Sequence, residues 1–351
     1  MHGSELHPII RQETIMFHPF YERVIKHMSA PHSFSSRLFK YVAAAVLGAA
    51  AASAQAQNTT SLVVAFPAGG PADSLARIVA AQLEKELKHP VLVENKPGGN
   101  GAIAASYVAR ARPDGQTLFL SSVGAISINP ALYPKLIYDP IKDFAPVSLL
   151  VSVPEVLVVG AKSPYPDAKA FVAKVKNDGL SMASSGVGSM PHMAVVQLKL
   201  STKGKILHVP YKGAAPAITD TIGGQVDGFI GDVSGLMPHI QSGKAKALAI
   251  AAPKRSSVLP DVPTFDELNI PDVYANNWYG VFAPKGTPAD TVATLNAVLA
   301  KVLQTPEMKA YAETTGVELS PTTPQAFADL VRDDTKKWGD LIRAEGITVD
   351  N

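Results

Sequence analysis

This sequence predicts a two-domain α/β protein built on mostly parallel sheets, and three observations carry that prediction. Its strand-sized runs are continuously apolar rather than alternating, as in strands buried on both faces. Helical patterns with one apolar face fall between them, in the order of βαβ units. The chain has 351 residues, 46% of them hydrophobic and 18% charged, enough for two or three domains with real cores.

Ten runs rich in Val, Ile and Leu read as strands: 62–66, 91–94, 117–121, 147–151, 156–159, 180–183, 206–209, 226–230, 247–251 and 279–283. The first helix, 74–88, places Leu75, Ile78, Val79, Leu83 and Leu87 on one stripe and its charges on the other. Similar patterns predict helices over 102–110, 168–176, 193–200, 214–222, 289–303, 306–313 and 324–345. No internal repeat of fixed period is present. A break is expected within 143–160, where two apolar runs are parted only by Ser152-Val153-Pro154, and a return crossing within 277–284. The expected domains are therefore 57–155 plus 281–351, and 156–280.

Residues 1–56 are an upstream extension and an address. Arg37 and Lys40 form a positive start, 41–54 is an apolar run, and two small-x-small sites follow, Ala52-Ser53-Ala54 and Ala54-Gln55-Ala56. That order is the signature of a secretory signal peptide, cleaved after Ala56 or two residues earlier. The apolar run is too short for a typical membrane span. A signal begins close to its charged start, so translation is expected from Met28 or Met16. Export without any cysteine suits a bacterial periplasm. From residue 57 onward acidic and basic residues balance, at 27 of each.

Composition also excludes. Lys and Arg number 32 against 30 Asp and Glu, with no basic surplus for nucleic acid. The lack of cysteine removes thiol catalysis, Fe–S clusters and Cys-based zinc sites. After residue 56 the histidines are His89, His192, His208 and His239, with no HExxH, so neither a metal nor another cofactor is expected. No close pair of carboxylates suggests glycosidase chemistry.

Four segments have the makings of a binding site. Phe66-Pro67-Ala68-Gly69-Gly70-Pro71-Ala72-Asp73 follows the first strand and opens the first helix. Its glycines allow a turn that presents backbone N–H groups and the positive end of a helix dipole to an anion. The plainer reading is a tight turn with an Asp cap. It has neither the Rossmann spacing nor the Gly-Lys-Ser/Thr of a P-loop, so nucleotide is disfavoured. Ser184-Ser185-Gly186-Val187-Gly188-Ser189-Met190-Pro191-His192 repeats that grammar, with hydroxyls and amides suited to an oxyanion. Ser121 and Ser122 end the third strand, at the carboxyl edge where open α/β sheets bind ligands. Tyr211 could wall a pocket, with Lys212 beside it, and Asp232 could accept from an ammonium or hydroxyl at the end of a later strand.

Taken in order, "VVAFPAGGPADSLARIVA", "VLVENKPGGNGAIAA", "RPDGQTLFLSS", "NPALYPKLIYDPIKDFAPVSLL", "SSGVGSMPHM", "VPYKGAAPAITDTIGGQVD", "PHIQSGKAKALAI", "LPDVPTFDEL" and "WYGVFAPKGTP" resemble the Bug/TctC family. These are periplasmic substrate-binding proteins of tripartite tricarboxylate transporters, and the resemblance spans 60–348. It implies a two-domain periplasmic binding protein of type II, a Venus flytrap, with a small carboxylate in the cleft. It also implies that one carboxylate is held largely by backbone amides and water. On this sequence the contributing positions are Phe66, Ala68, Gly70 and Asp73, then Ser184, Ser185, Gly186, Gly188, Ser189 and His192. Ala72 stands where the family commonly has Thr or another polar residue, and "KPGGNGAIAA" orders its glycines a little differently.

The implied partners are a small organic acid and the membrane permease subunits of such a transporter, and the implied state is a monomer. Dicarboxylates, tricarboxylates, amino acids and aromatic acids all remain open as ligands. Two further classes stand beside this one. A ligand-loaded receptor could instead signal to a sensor kinase, using the same flytrap. A periplasmic serine hydrolase would use Ser185 or Ser189 with His192 as base, although Gly-x-Ser-x-Gly is absent.

Overall fold

The computed structural model describes residues 59–348; the expected signal peptide and its cleavage site lie outside the described residues. The chain opens with β1 (Thr60–Val64), α1 (Pro71–Leu87), β2 (Val91–Asn95), α2 (Ala102–Ala109) and β3 (Thr117–Ser122). A π-helical turn at Gly124–Ile128 leads into the short α3 (Asn129–Leu132) and then β4 (Phe144–Gly160). Alternation resumes with α4 (Ala168–Asn177), β5 (Leu180–Ser184), α5 (Met190–Thr202), β6 (Ile206–Pro210) and α6 (Ala214–Gly223). Next come β7 (Gly228–Asp232), α7 (Val233–Gln241), β8 (Ala245–Ile250) and β9 (Asn276–Pro284). The chain continues through α8 (Ala289–Val302), α9 (Pro306–Thr315), β10 (Glu318–Leu319) and α10 (Pro324–Ala344).

The strands run β2-β1-β3-β9-β4-β7-β5-β6, with β8 and β10 each paired to β4. The βαβ pairs are parallel, as expected: β1 with β2 and β3, and β5 with β6 and β7. Antiparallel pairing enters wherever β4 or β9 takes part. Along β1 and β3, Val63 and Phe119 join one apolar cluster while Leu62, Val64, Leu118 and Leu120 join the other. Side chains alternate across a strand, so both sheet faces are buried. That explains the continuous apolar runs.

β4 is where sequence and structure part most clearly. Two strands separated at Ser152-Val153-Pro154 are one 17-residue strand. Its first part, Phe144 to Pro154, pairs with β9, and from Glu155 onward it pairs with β7 and β8. Pro154 cannot donate to a ladder, but it falls where one partner gives way to the next, so the strand survives. The run expected at 226–230 starts two residues later, because Asp227 is held outside β7 by Ser181, whose N–H and hydroxyl both donate to its carboxylate at 2.8 Å. α7 was masked at the sequence level by Gly235 and Pro238, both poor helix residues. Burial of Val233, Leu236 and Met237 overrides them.

Candidate functional site

A cavity lies where the carboxyl ends of β1, β3, β5 and β7 meet. Phe66, Ala68 and Gly70 line it from the loop after β1, and Ser122 from the end of β3. Ser185 and Ser189 line it from the loop after β5, and Asp232 from the end of β7. Seven of the fourteen residues expected at the site thus face one cavity.

Three helix starts frame it. α1 begins at Pro71 after Gly70, α5 at Met190 after Ser189, and α6 at Ala214 after Gly213. Residues from all three starts line the cavity, including Ala72, Pro191 and Ala215. First-turn N–H groups have no partner inside their own helix, and the dipole adds partial positive charge. A Cβ on Gly213, whose φ is +121°, would sit 3.0 Å from Pro67 Cγ. Only a bare backbone lets the start of α6 come that close to the loop after β1.

The other expected residues build the walls. Asp73 is buried within the first turn of α1 and accepts from the Gly69 N–H (3.0 Å), Arg77 Nε (2.9 Å) and Asn95 Nδ2 (2.9 Å). Burial pushes its pKa up, but Arg77, Gly69 and Asn95 outweigh that and hold it below the ordinary carboxylate value. It fixes the loop rather than lining the cavity. Ser121 is fully buried, and its hydroxyl has no partner among the described residues. Ser184 is also fully buried, with its Oγ 2.6 Å from His208 Nε2.

Gly188 donates its N–H to His192 Nδ1 (3.1 Å), and the His192 ring stacks on His208 with centroids 3.9 Å apart. Burial depresses the His192 pKa to about 3, with His208 adding to the effect, and burial alone depresses His208 to about 4. Gly186 and Tyr211, with Lys212, line a second, outer cavity of about 1150 Å³ that shares Phe66, Pro67, Asn100 and Ser185 with the first. Tyr211 donates its hydroxyl to Asp220 at 2.7 Å. Ser189 Oγ donates to the Gly186 carbonyl (2.7 Å) and accepts from the His192 N–H (3.3 Å), which is a helix cap. Among the described residues neither Ser185 nor Ser189 is hydrogen-bonded to a histidine ring.

Asn100, Asn277 and Tyr279 also line the cavity, and sequence reasoning passed over them. Asn277 donates from Nδ2 to Asp232 Oδ1 at 3.0 Å, and Tyr279 donates its hydroxyl to Asp232 Oδ2. Glu155 stands directly opposite Asp232 in the antiparallel register of β4 and β7 and is fully buried. Burial and the adjacent Asp232 raise its pKa well above normal. Burial also holds Asp232 above its ordinary value, although Tyr279, Asn277 and Glu155 oppose that. Glu155 is therefore the member of this pair held further above the ordinary carboxylate range. The partnership of Asp232 with Asn277 and Tyr279 was not legible because they lie 45 and 47 residues away.

None of the described residues lining the cavity is Lys, Arg or His. Among the described residues no cluster of His, Asp and Glu could hold a metal, and no helix is long and apolar enough to cross a membrane. Helix starts around a partly apolar cavity at strand ends are the features of a solute-binding protein.

Residues 75–347 match the family described as the tripartite tricarboxylate transporter family receptor, TctC. The chain belongs to that family. It is similar to MatC from Rhodopseudomonas palustris with bound malate, at 36% identity and a TM-score of 0.75 over 81% of this chain and 98% of that one. It is similar to the periplasmic binding protein BugD, at 34% identity and a TM-score of 0.79 over 83% and 99%. It is also similar to R. palustris Rpa4515 with adipate, at 31% identity and a TM-score of 0.80 over 83% and 98%. The chain is thus a Bug/TctC substrate-binding protein with the two-domain α/β fold of periplasmic binding proteins.

Proposed function

We propose that the protein captures a small carboxylate in the periplasm and delivers it to the membrane permease of a tripartite tricarboxylate transporter. One observation carries this reading. The starts of α1, α5 and α6 converge on a cavity whose lining has no cationic side chain. Amides and dipoles fixed in place hold an anion more strongly once water is excluded, because the local dielectric falls. Malate in MatC and adipate in Rpa4515 support a carboxylate here.

Capture uses a hinge. We take 57–155 plus 281–351 as one moving part and 156–280 as the other, with the cavity between them. β4 supports this division, since it changes partner at Pro154 and Glu155. Ligand shifts the balance toward the closed form by the contacts it makes only there.

The test is a melting screen of periplasm-purified protein, freed of carried-over ligand by partial unfolding and refolding. The panel holds mono-, di- and tricarboxylates, amino acids, aromatic acids and sugars. An acid at about 100 times its Kd adds roughly 2.7 kcal/mol of stability. A shift from one acid class is expected. A shift from sugars alone, or none from any acid, would overturn the reading. Delivery is checked separately: deleting the gene should abolish uptake of the acid found.

A further inference from the structure

Carboxylate capture leaves Asp232 unexplained. It lines the cavity, is 6% exposed, and is the only carboxylate among the described residues that line it. A buried charge of this kind costs free energy unless it is paired. No cation pairs with it: the lining has no Lys, Arg or His, and none of the ion pairs among the described residues includes Asp232.

Its neighbours keep it as an acceptor. Tyr279 spends its one hydroxyl proton on Asp232 Oδ2, so the phenol oxygen is left able only to accept. Asn277 turns Nδ2 toward Oδ1, and that orientation is locked because its own Oδ1 accepts from the Trp278 N–H at 2.9 Å. Asp232 opens α7, where Asp commonly caps, yet its side chain makes no cap bond. It is turned to Asn277 and Tyr279 instead. A carboxylate has about four lone-pair sites, and Asn277, Tyr279 and the adjacent Glu155 leave room for one more donor. The cavity therefore has donors at three helix starts and an anchored carboxylate acceptor at the end of β7.

We infer that Asp232 sets ligand specificity, and that the ligand is a carboxylate that also bears a protonated amine, its acid at the helix starts and its amine on Asp232. The inference rests on the solute-capture reading. A hydroxyl in place of the amine satisfies the acceptor but leaves the charge unpaired, so hydroxy acids rank between amino acids and unsubstituted acids. A second carboxylate placed at Asp232 meets like charge and is disfavoured.

Calorimetric titration of matched series tests it: succinate, malate and aspartate; adipate and 2-aminoadipate; 3-phenylpropionate, phenyllactate and phenylalanine. On the skeleton that binds best, the amino member should bind at least about tenfold tighter than the unsubstituted acid. Asp232→Asn should cut that ratio to about threefold or less. If unsubstituted acids bind as well as amino acids in the unaltered protein, this inference fails and carboxylate capture stands. If no acid binds, capture fails and takes this inference with it. The ratios in the unaltered protein decide the matter even if the variant does not fold.

Discussion

Asn100, in the loop after β2, donates its side-chain amide to the carbonyl oxygen of Gly188, in the loop after β5, at 2.7 Å. The bond joins two segments far apart in sequence at the rim of the cavity, which Asn100 itself lines. Asn129 steadies it, accepting from Asn100 Nδ2 at 3.0 Å and donating back to the carbonyls of Gly99 and Asn100 at 3.2 Å. Asn100 has φ 49° and ψ 44°, so alanine would add backbone strain to the lost bond. Asn100→Gly is the cleaner variant. It should lose about 0.5–1.5 kcal/mol and weaken binding of the best acid by roughly two- to tenfold. Unchanged melting and affinity would show that the bond does not hold the two loops together.

Asp73 acts one step behind the cavity. Its carboxylate ties the Gly69 turn to Asn95 and to its own helix. Asp73→Ala leaves the Gly69 N–H and the Asn95 amide without that acceptor and should cost about 1–3 kcal/mol. Its pKa is lower folded than unfolded, so its stabilisation is full above the unfolded value of about 4 and is lost as pH falls through the folded one. Urea midpoints at neutral pH and near pH 3 check both points: the two proteins should differ at neutral pH and converge in acid.

What the sequence displayed follows from range. The loops 66–73 and 184–192 were legible because glycine and serine at a strand-to-helix junction have local consequences, and both segments border the cavity. Asp232 was legible as a strand-end acceptor. Its partners Asn277 and Tyr279 were not, since only the β3–β9–β4 pairing brings β9 beside β7. Asp73 and His192, expected at the ligand, hold the loops by hydrogen bonds, and a polar residue in a first helical turn has the same local signature in either role. Glu155 gave no signal, since one acid in an apolar strand does not show which strand it will face.

Gly280 lies beneath Phe327 of α10. A Cβ there would sit 2.1 Å from the ring, and the ring has nowhere to go. Phe327 is fully buried, 4.8 Å from the Phe282 ring and edge-on to Trp278 at 5.3 Å. Gly280→Ala should therefore destabilise by about 1–3 kcal/mol through overpacking. Phe327→Leu makes room, so the double variant should recover part of the loss. A double-mutant cycle in urea should show coupling of at least about 0.5 kcal/mol, and strictly additive losses would refute the contact.

The stacked pair His192 and His208 makes the molecule acid-sensitive near its site. Both rings are neutral when folded, with pKa values of about 3 and about 4, while unfolded histidine titrates near 6.5. The folded values are depressed, so the stability is fully present above about pH 6.5 and is lost as pH falls toward the folded values. Between about pH 6 and pH 4, His192 alone contributes a loss of up to about 1.4 kcal/mol per pH unit. The same protonation reaches the cavity. Neutral Nδ1 of His192 accepts the Gly188 N–H, and a protonated Nδ1 cannot, so the loop that carries Ser185 and Ser189 loses a tether. Ligand affinity should therefore fall together with stability over this range. His192→Gln keeps a polar side chain without that titration and should make both profiles shallower, leaving the share of His208. Denaturant unfolding and titration of the best-binding acid at pH 7, 6, 5 and 4.5 provide the comparison. If the variant and the unaltered protein lose stability in parallel, the acid response lies elsewhere in the molecule.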